Sequence, residues 1–376
     1  MRIAIDILSA ALGGPGQYIL DLLPHLSRRA EDAEDDDELH VLAAHPTLLQ
    51  RLPRVSNVAV HEIAAGRSPM KRLLWQRFAM PRWCRDHGID VVFAPQGLTA
   101  ITSGPPVVVL HQDSLLLSPE RMGRSRLRCA LQRHYARKTL SRAASALFVS
   151  KTVRDLAESR GWVLPAIREI VPYGVNIDEL RDAADQALLA SLRAGRPYVL
   201  NVNSVMTHKN VPTLVRAMGV LSERGRRDIR LLIAGEAPPE RPAVREVMQL
   251  IERLGLNDVV TLLGPLGRPA VSAYYQAARA YVTVSHLEAF GLTPLEAMGL
   301  GAPAICSRIL PFLEAGGDAA LIVDGTDPQA VADAIMKLWD DEGLRAQLIE
   351  RGRRRAAQFI WPEAADAVYR ALQAAV

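Results

Sequence analysis

Two carboxylates eight positions apart, Glu288 and Glu296, and an upstream lysine, Lys209, are the residues whose types and surroundings best suit chemistry. Glu288 follows the strand-like run AYVTVS (280–285) and precedes a glycine-bearing turn, after which a helix begins. The backbone N–H groups of Phe290, Gly291, Leu292 and Thr293 fall at that helix start, where unsatisfied donors and the positive end of the dipole favour an anion such as phosphate. Lys209 stands in MTHKN, between the strand YVLNVNS and the helix VPTLVRAM. The dipole disfavours a lysine there unless an anion joins it, so it suits a phosphate-neutralising role. Glu296 has two readings. It is either a ligand contact or the last member of a capping box, with Thr293 as N-cap and Pro294 at the first helical position. Leu295 and Met298 are core residues.

A second set lies nearer the start of the chain. His111 closes the run VVVLH, at the strand end where open α/β sheets place ligands, with Asp113 two residues on. Gly13, Gly14 and Gly16 follow the first strand (2–6) and read as a tight turn whose backbone could approach a ligand closely. Their spacing is not that of a dinucleotide fingerprint. The acidic run 31–38 contains Asp35, Asp36 and Asp37 but lacks glycine or apolar framing, so it reads as a solvated loop rather than a metal site. Cys84, Cys129 and Cys306 have no paired spacing, which suits a reducing compartment and no metal.

The elements that must position these residues alternate. Strand-like runs at 39–44, 58–63, 90–95, 107–111, 146–150 and 169–174 are separated by helical patterns, and the pattern breaks at 176–197 as at a linker. A second series follows at 198–204, 230–236, 259–264, 280–285 and 302–307. Such alternation predicts βαβ units and two α/β domains, each a doubly wound parallel sheet covered on both faces. The length, 376 residues, fits two domains, and 49% apolar against 23% charged residues makes both globular. No run is long and apolar enough for a membrane span, and Asp6 interrupts the N-terminal stretch that resembles a signal peptide, so a cytoplasmic location is expected. Cations cluster between Arg67 and Arg85, among tryptophan, leucine and phenylalanine, and between Arg121 and Arg142. Either a peripheral contact with anionic membrane or an ordinary solvated face accounts for them. No nucleic-acid motif accompanies the charge.

The stretch SHLEAFGLTPLEAMGLGAPAICS resembles the E-x7-E signature of glycosyltransferase family 4, enzymes of the GT-B fold. LNVNSVMTHKNVPTLVRAM, LLIAGE, GGPGQY, SALFVSKTVRDLAE and IVPYGVN are similar to other landmarks of that family. The resemblance implies two facing Rossmann-like domains with a cleft between them: an acceptor-binding domain, 1–177, completed by a C-terminal helix at 362–376, and a donor-binding domain, 178–361. It implies that Glu288 contacts the donor sugar, Glu296 the nucleotide ribose, and residues 290–293 with Ser204 and Lys209 the diphosphate. His111 would lie near the reacting sugar and the Gly13–Gly16 loop near donor and acceptor. The implied activity is a retaining, metal-independent transfer without a cofactor. Its donor is a nucleotide-diphosphate sugar, GDP-linked mannose or a deoxyhexose such as rhamnose in preference to a UDP-sugar. The acceptor is a glycan or lipid-linked glycan of surface polysaccharide or lipopolysaccharide synthesis. A sugar-nucleotide epimerase, a phosphorylase and an inactive nucleotide-sugar-binding subunit are the alternatives. Three departures stand out. Asn203-Ser204 replaces the arginine common before the lysine, Ala289 replaces a glycine, and Gln112 separates His111 from Asp113.

Overall fold

The computed structural model describes residues 1–10, 14–32, 37–101, 103–112 and 126–376. The chain divides into two compact units. The first holds the residues up to Gly174 together with Ile360–Val376, and the second holds Val175–Phe359.

The first unit carries a seven-stranded sheet of β1 (Arg2–Asp6), β2 (Glu38–Ala43), β3 (Val58–Glu62), β4 (Val91–Ala94), β5 (Val107–His111), β6 (Ser145–Phe148) and β7 (Ile167–Ile170). All neighbours are parallel and the order is β3-β2-β1-β4-β5-β6-β7. The second unit repeats the plan with β8 (Tyr198–Val202), β9 (Arg230–Ala234), β10 (Val260–Gly264), β11 (Ala280–Thr283), β12 (Ala304–Ser307) and β13 (Ala320–Val323), ordered β10-β9-β8-β11-β12-β13. Central strands β4, β6, β11 and β12 are buried at every position, as helices on both faces require, which is why they read as unbroken apolar runs. In each sheet the order reverses beside the first strand, between β1 and β4 and between β8 and β11, the switch points at which such sheets leave a crevice.

The terminal helix, Trp361–Gln373, packs on the Gly14–Glu31 helix of the first unit. The Trp361 ring meets Tyr18 edge-on at 5.4 Å, and Arg29 lies over the Tyr369 ring at 4.8 Å. A Cβ added to Gly174 would lie 2.4 Å from the Trp361 nitrogen, so the chain passes there only as glycine.

Several expectations are corrected. Asp37, read as part of a solvated acidic loop, is buried and accepts a hydrogen bond from the Tyr369 hydroxyl; Asp35 and Asp36 lie outside the described residues. The strand expected at 169–174 runs instead over Ile167–Ile170, because the VPYG that follows, buried at Val171 and Gly174, is a loop. The segment at 176–197 is not a plain linker: helices Ile177–Asp182 and Gln186–Ala194 pack on the Arg268–Ala277 helix, with Leu189 against Ala273. Strand β13 was not anticipated. Gly14 and Gly16 fall in the first turn of a helix rather than in an open loop, and Gly13 lies outside the described residues, as do Asp113 and Arg121.

Candidate functional site

In the second unit the backbone ladder between β8 and β11 holds only at Val199–Ala280 and Leu200–Tyr281. Beyond it side chains take over: Asn201 Nδ2 donates to the Val282 carbonyl at 2.7 Å, and Asn203 Nδ2 to Thr283 Oγ1 at 3.3 Å. The strands thus part while staying tied, and the loops that follow them carry the expected site residues.

Lys209 ends a short 3-10 turn, Thr207–Lys209, and its Nζ donates to Glu288 Oε1 at 2.7 Å. Both side chains are about one-fifth exposed, 19% each. The pair is held by Asn210, which sequence reasoning missed. Asn210 sits at φ 53°, ψ 35°, the left-handed region that asparagine tolerates better than most residues. Its Nδ2 donates to the carbonyls of Val284 (3.2 Å) and Gly325 (2.7 Å), and its Oδ1 accepts from Thr213 Oγ1 at 2.9 Å. One side chain therefore fixes the loops after β8, β11 and β13 to each other and starts the Val211–Glu223 helix. The local signal was an asparagine between a turn and a helix opening with Val-Pro.

The helix after Glu288 runs Leu292–Gly299 with Gly291 at the N-cap and no side-chain cap. This overturns the capping-box reading. Thr293 lies inside the first turn, where its Oγ1 accepts from the Tyr281 hydroxyl at 2.8 Å, and Glu296 is too far along to reach the cap. Glu296 is half-buried, and the Tyr275 hydroxyl donates to its Oε2 at 3.4 Å. Burial, then the neighbouring Glu296 charge, pushes the Tyr275 phenol well up, so it stays a donor. Gly291 is required by space: a Cβ there would meet Ala315 Cβ at 2.6 Å. Ser204 lies half-buried on the loop after β8, which runs so close to β9 that a Cβ on Gly235, at φ +146°, would meet Asn203 O at 2.4 Å.

In the first unit, the ends of β4 and β5 carry neutral polar groups. His111 is fully buried at the end of β5, stacked near Phe148 (centroids 6.3 Å) and Trp162 (6.1 Å), with Gly97 against its ring. Among the described residues neither ring nitrogen has a hydrogen-bond partner, and burial lowers its pKa to about 4, so the imidazole is neutral at neutral pH. Gln96, after β4, accepts from Ser9 Oγ, while its Nε2 is buried without a partner among the described residues. Gln112 donates to the Pro95 carbonyl at 2.5 Å and accepts from Tyr173 at 2.8 Å, so it braces the ends of β4 and β7 beside His111. Sequence reasoning singled out His111 but not Gln96, Tyr173 or Ser9. The dipeptide Gln-Gly directly after a buried strand was the available signal.

Comparison with known proteins bears on the family and the fold. The Glycosyltransferase Family 4 model matches residues 12–179 and the model for glycosyl transferases group 1 matches 190–355. A curated relative, the O-antigen chain mannosyltransferase B of Escherichia coli, is 26% identical over 376 residues, 95% of each chain. The D-inositol 3-phosphate glycosyltransferase of Corynebacterium jeikeium is 33% identical over 227 residues, 58% of this chain; the match spans about half, 54%, of that relative's length. Among solved structures, Anabaena HepE in complex with UDP and glucose superposes with TM-score 0.75 over 99% of both chains at 18% identity. The architecture is that of the GT-B glycosyltransferases. The chain belongs to glycosyltransferase family 4.

Proposed function

We propose that this chain moves a sugar from a nucleotide-diphosphate donor to a hydroxyl of a glycan or lipid-linked glycan, with mannose on GDP as the preferred donor and rhamnose second. The observation that carries the reading is the Lys209–Glu288 pair, 2.7 Å apart, beside the start of the Leu292–Gly299 helix. A leaving diphosphate develops negative charge, and a preorganised ammonium with helix N–H donors stabilises it at little reorganisation cost. Arrival of the diphosphate draws the Lys209 ammonium from Glu288, which frees a carboxylate to accept hydrogen bonds from sugar hydroxyls. Glu296, braced by Tyr275, is left for the ribose. His111, neutral and without a partner among the described residues, offers one donor and one acceptor to the reacting sugar. The departing phosphate takes the acceptor proton on the same face, which retains the anomeric configuration and needs neither metal nor cofactor. The whole-length Escherichia coli relative supports mannose. HepE with UDP and glucose keeps uridine as the rival.

Calorimetry with GDP, UDP and dTDP decides the nucleotide: binding of UDP alone overturns the GDP preference. A donor-hydrolysis screen over nucleotide sugars tests transfer itself, because slow hydrolysis needs no acceptor. Epimerised donor without release of nucleotide would point to an epimerase, and binding without turnover to an inactive subunit.

A lipid-linked acceptor suits one surface of the first unit. Met70, Leu74 and Phe78, four residues apart along the helical run from Pro69 to Asp86, stand 66%, 52% and 68% exposed among the exposed cations Lys71, Arg77, Arg82 and Arg85. Apolar residues ringed by cations fit the interface of an anionic bilayer. Among the described residues no helix is long and apolar enough to cross a membrane. Replacing the three apolar residues by serine is expected to abolish sedimentation with phosphatidylglycerol vesicles while donor hydrolysis persists. Unchanged sedimentation rejects this surface.

A further inference from the structure

We infer that the second unit holds a subsite for a neutral sugar residue of the acceptor glycan, in a pocket lined in part by the loops that carry Lys209 and Glu288. The pocket, about 680 Å³, opens beyond the ends of β12 and β13. That volume lies in the range of small-molecule sites, about 300–1,000 Å³. His208, Ser285 and Ser307 form a buried floor, and Arg308, Asp324 and Thr326 form an exposed rim.

The floor is built by hydrogen bonds. Ser307 Oγ donates to the Ser285 carbonyl at 2.7 Å, and the His286 N–H donates to the His208 carbonyl at 2.8 Å. Gly325 closes it: a Cβ there would meet Ser307 Cβ at 2.5 Å. On the rim, Asp324 Oδ1 accepts from the Thr326 N–H (2.9 Å) and Oγ1 (2.6 Å), which fixes the carboxylate through one of its two oxygens. These bonds, with the charge of Arg308 added, hold the Asp324 carboxyl below the usual carboxylate range.

The chemistry selects the ligand. Arg308 alone would suit a phosphate, but Asp324 on the same rim repels one. A donor and an acceptor of opposite charge on one rim, Arg308 and the pinned Asp324, match neighbouring hydroxyls of a sugar ring, and Ile309 in the lining offers an apolar contact to its C–H face. The position follows from the chain. His208 adjoins Lys209 and His286 precedes Glu288 by two residues, so a glycan whose reacting hydroxyl lies at that pair can extend its next residue into the pocket. The subsite rests on the proposed glycan acceptor and makes the acceptor an oligosaccharide rather than a single sugar.

The test is binding and transfer with mono-, di- and trisaccharides of mannose, rhamnose and glucose, using wild type, Arg308→Ala and Asp324→Asn, with orthophosphate and GDP as anion probes. In wild type, affinity for at least one series should rise with length. Both variants should lose that rise, by about fivefold as the loss of one or two hydrogen bonds implies, while GDP affinity, donor hydrolysis and melting temperature stay unchanged. Length-independent binding, no saccharide binding by wild type, variants that keep the rise, or a fall in orthophosphate or GDP affinity in Arg308→Ala each overturns the subsite. Donor hydrolysis separates the two readings, because it continues if only the pocket is wrong and is absent if glycosyl transfer is wrong.

Discussion

The crevice loops of the two units are prepared in opposite ways. After β8 and β11 the charged side chains are already paired, Lys209 with Glu288, and Asn210 satisfies two carbonyls at once. At the ends of β4 and β5 the polar side chains are neutral, and among the described residues both nitrogens of His111 and the Nε2 of Gln96 are buried with no partner. A paired ion can trade one partner for another at modest cost, whereas an unpartnered buried donor loses about 1–3 kcal/mol until something meets it. One unit stores its ligand's charge complement in a resting contact, and the other stores unmet hydrogen-bonding capacity.

The largest expected effect breaks the resting contact. Lys209→Ala should lower transfer by about 10²–10³-fold, as loss of a preorganised charge at a leaving group does, and should weaken nucleotide-diphosphate binding; steady-state kinetics and calorimetry read both. If rate and donor affinity both survive, the pair is structural only. Asn210→Ala comes next, because it removes three hydrogen bonds and puts a Cβ residue without side-chain compensation at φ 53°. A loss of about 2–4 kcal/mol in denaturant unfolding is expected. Glycine at the same position should recover the backbone part alone.

On the other side, His111 makes stability depend on pH. Its folded pKa of about 4 lies below the 6.5 of a free imidazole, so between those values the unfolded chain binds the extra proton. Stability is full above pH 6.5 and falls, by on the order of 1–3 kcal/mol, as pH drops toward 4. His111→Phe should flatten that slope in thermal melts while abolishing transfer; an unchanged slope would show that other groups set it. The smallest effect sharpens the ribose contact. Tyr275→Phe removes one long hydrogen bond to Glu296, worth about 0.5–1 kcal/mol, and should weaken donor binding about twofold to fivefold without altering the pH profile.

The two sheets were legible because strands buried on both faces leave unbroken apolar runs, and Glu288 and Lys209 were legible because each sits between a strand and a helix start. What escaped depends on contacts distant in sequence. Asn210 earns its conformation from carbonyls 74 and 115 residues away, and Asp37 is buried by a tyrosine 332 residues on. β7 was displaced because its own residues are largely exposed and the buried ones after it are loop. Thr293 matched a capping pattern, but Tyr281 claims its hydroxyl and the helix starts two residues earlier, at Leu292.

The return of Ile360–Val376 to the first unit sets the order in which the molecule can be completed. A ribosome synthesises the whole of the second unit before it makes the Trp361–Gln373 helix, so the earlier part of the first unit waits for that packing partner. During that interval the Tyr18 face of the Gly14–Glu31 helix is uncovered. Nascent chains stalled before residue 360 should bind chaperones through that face, and the time needed to synthesise roughly two hundred residues becomes part of the folding time of the first unit.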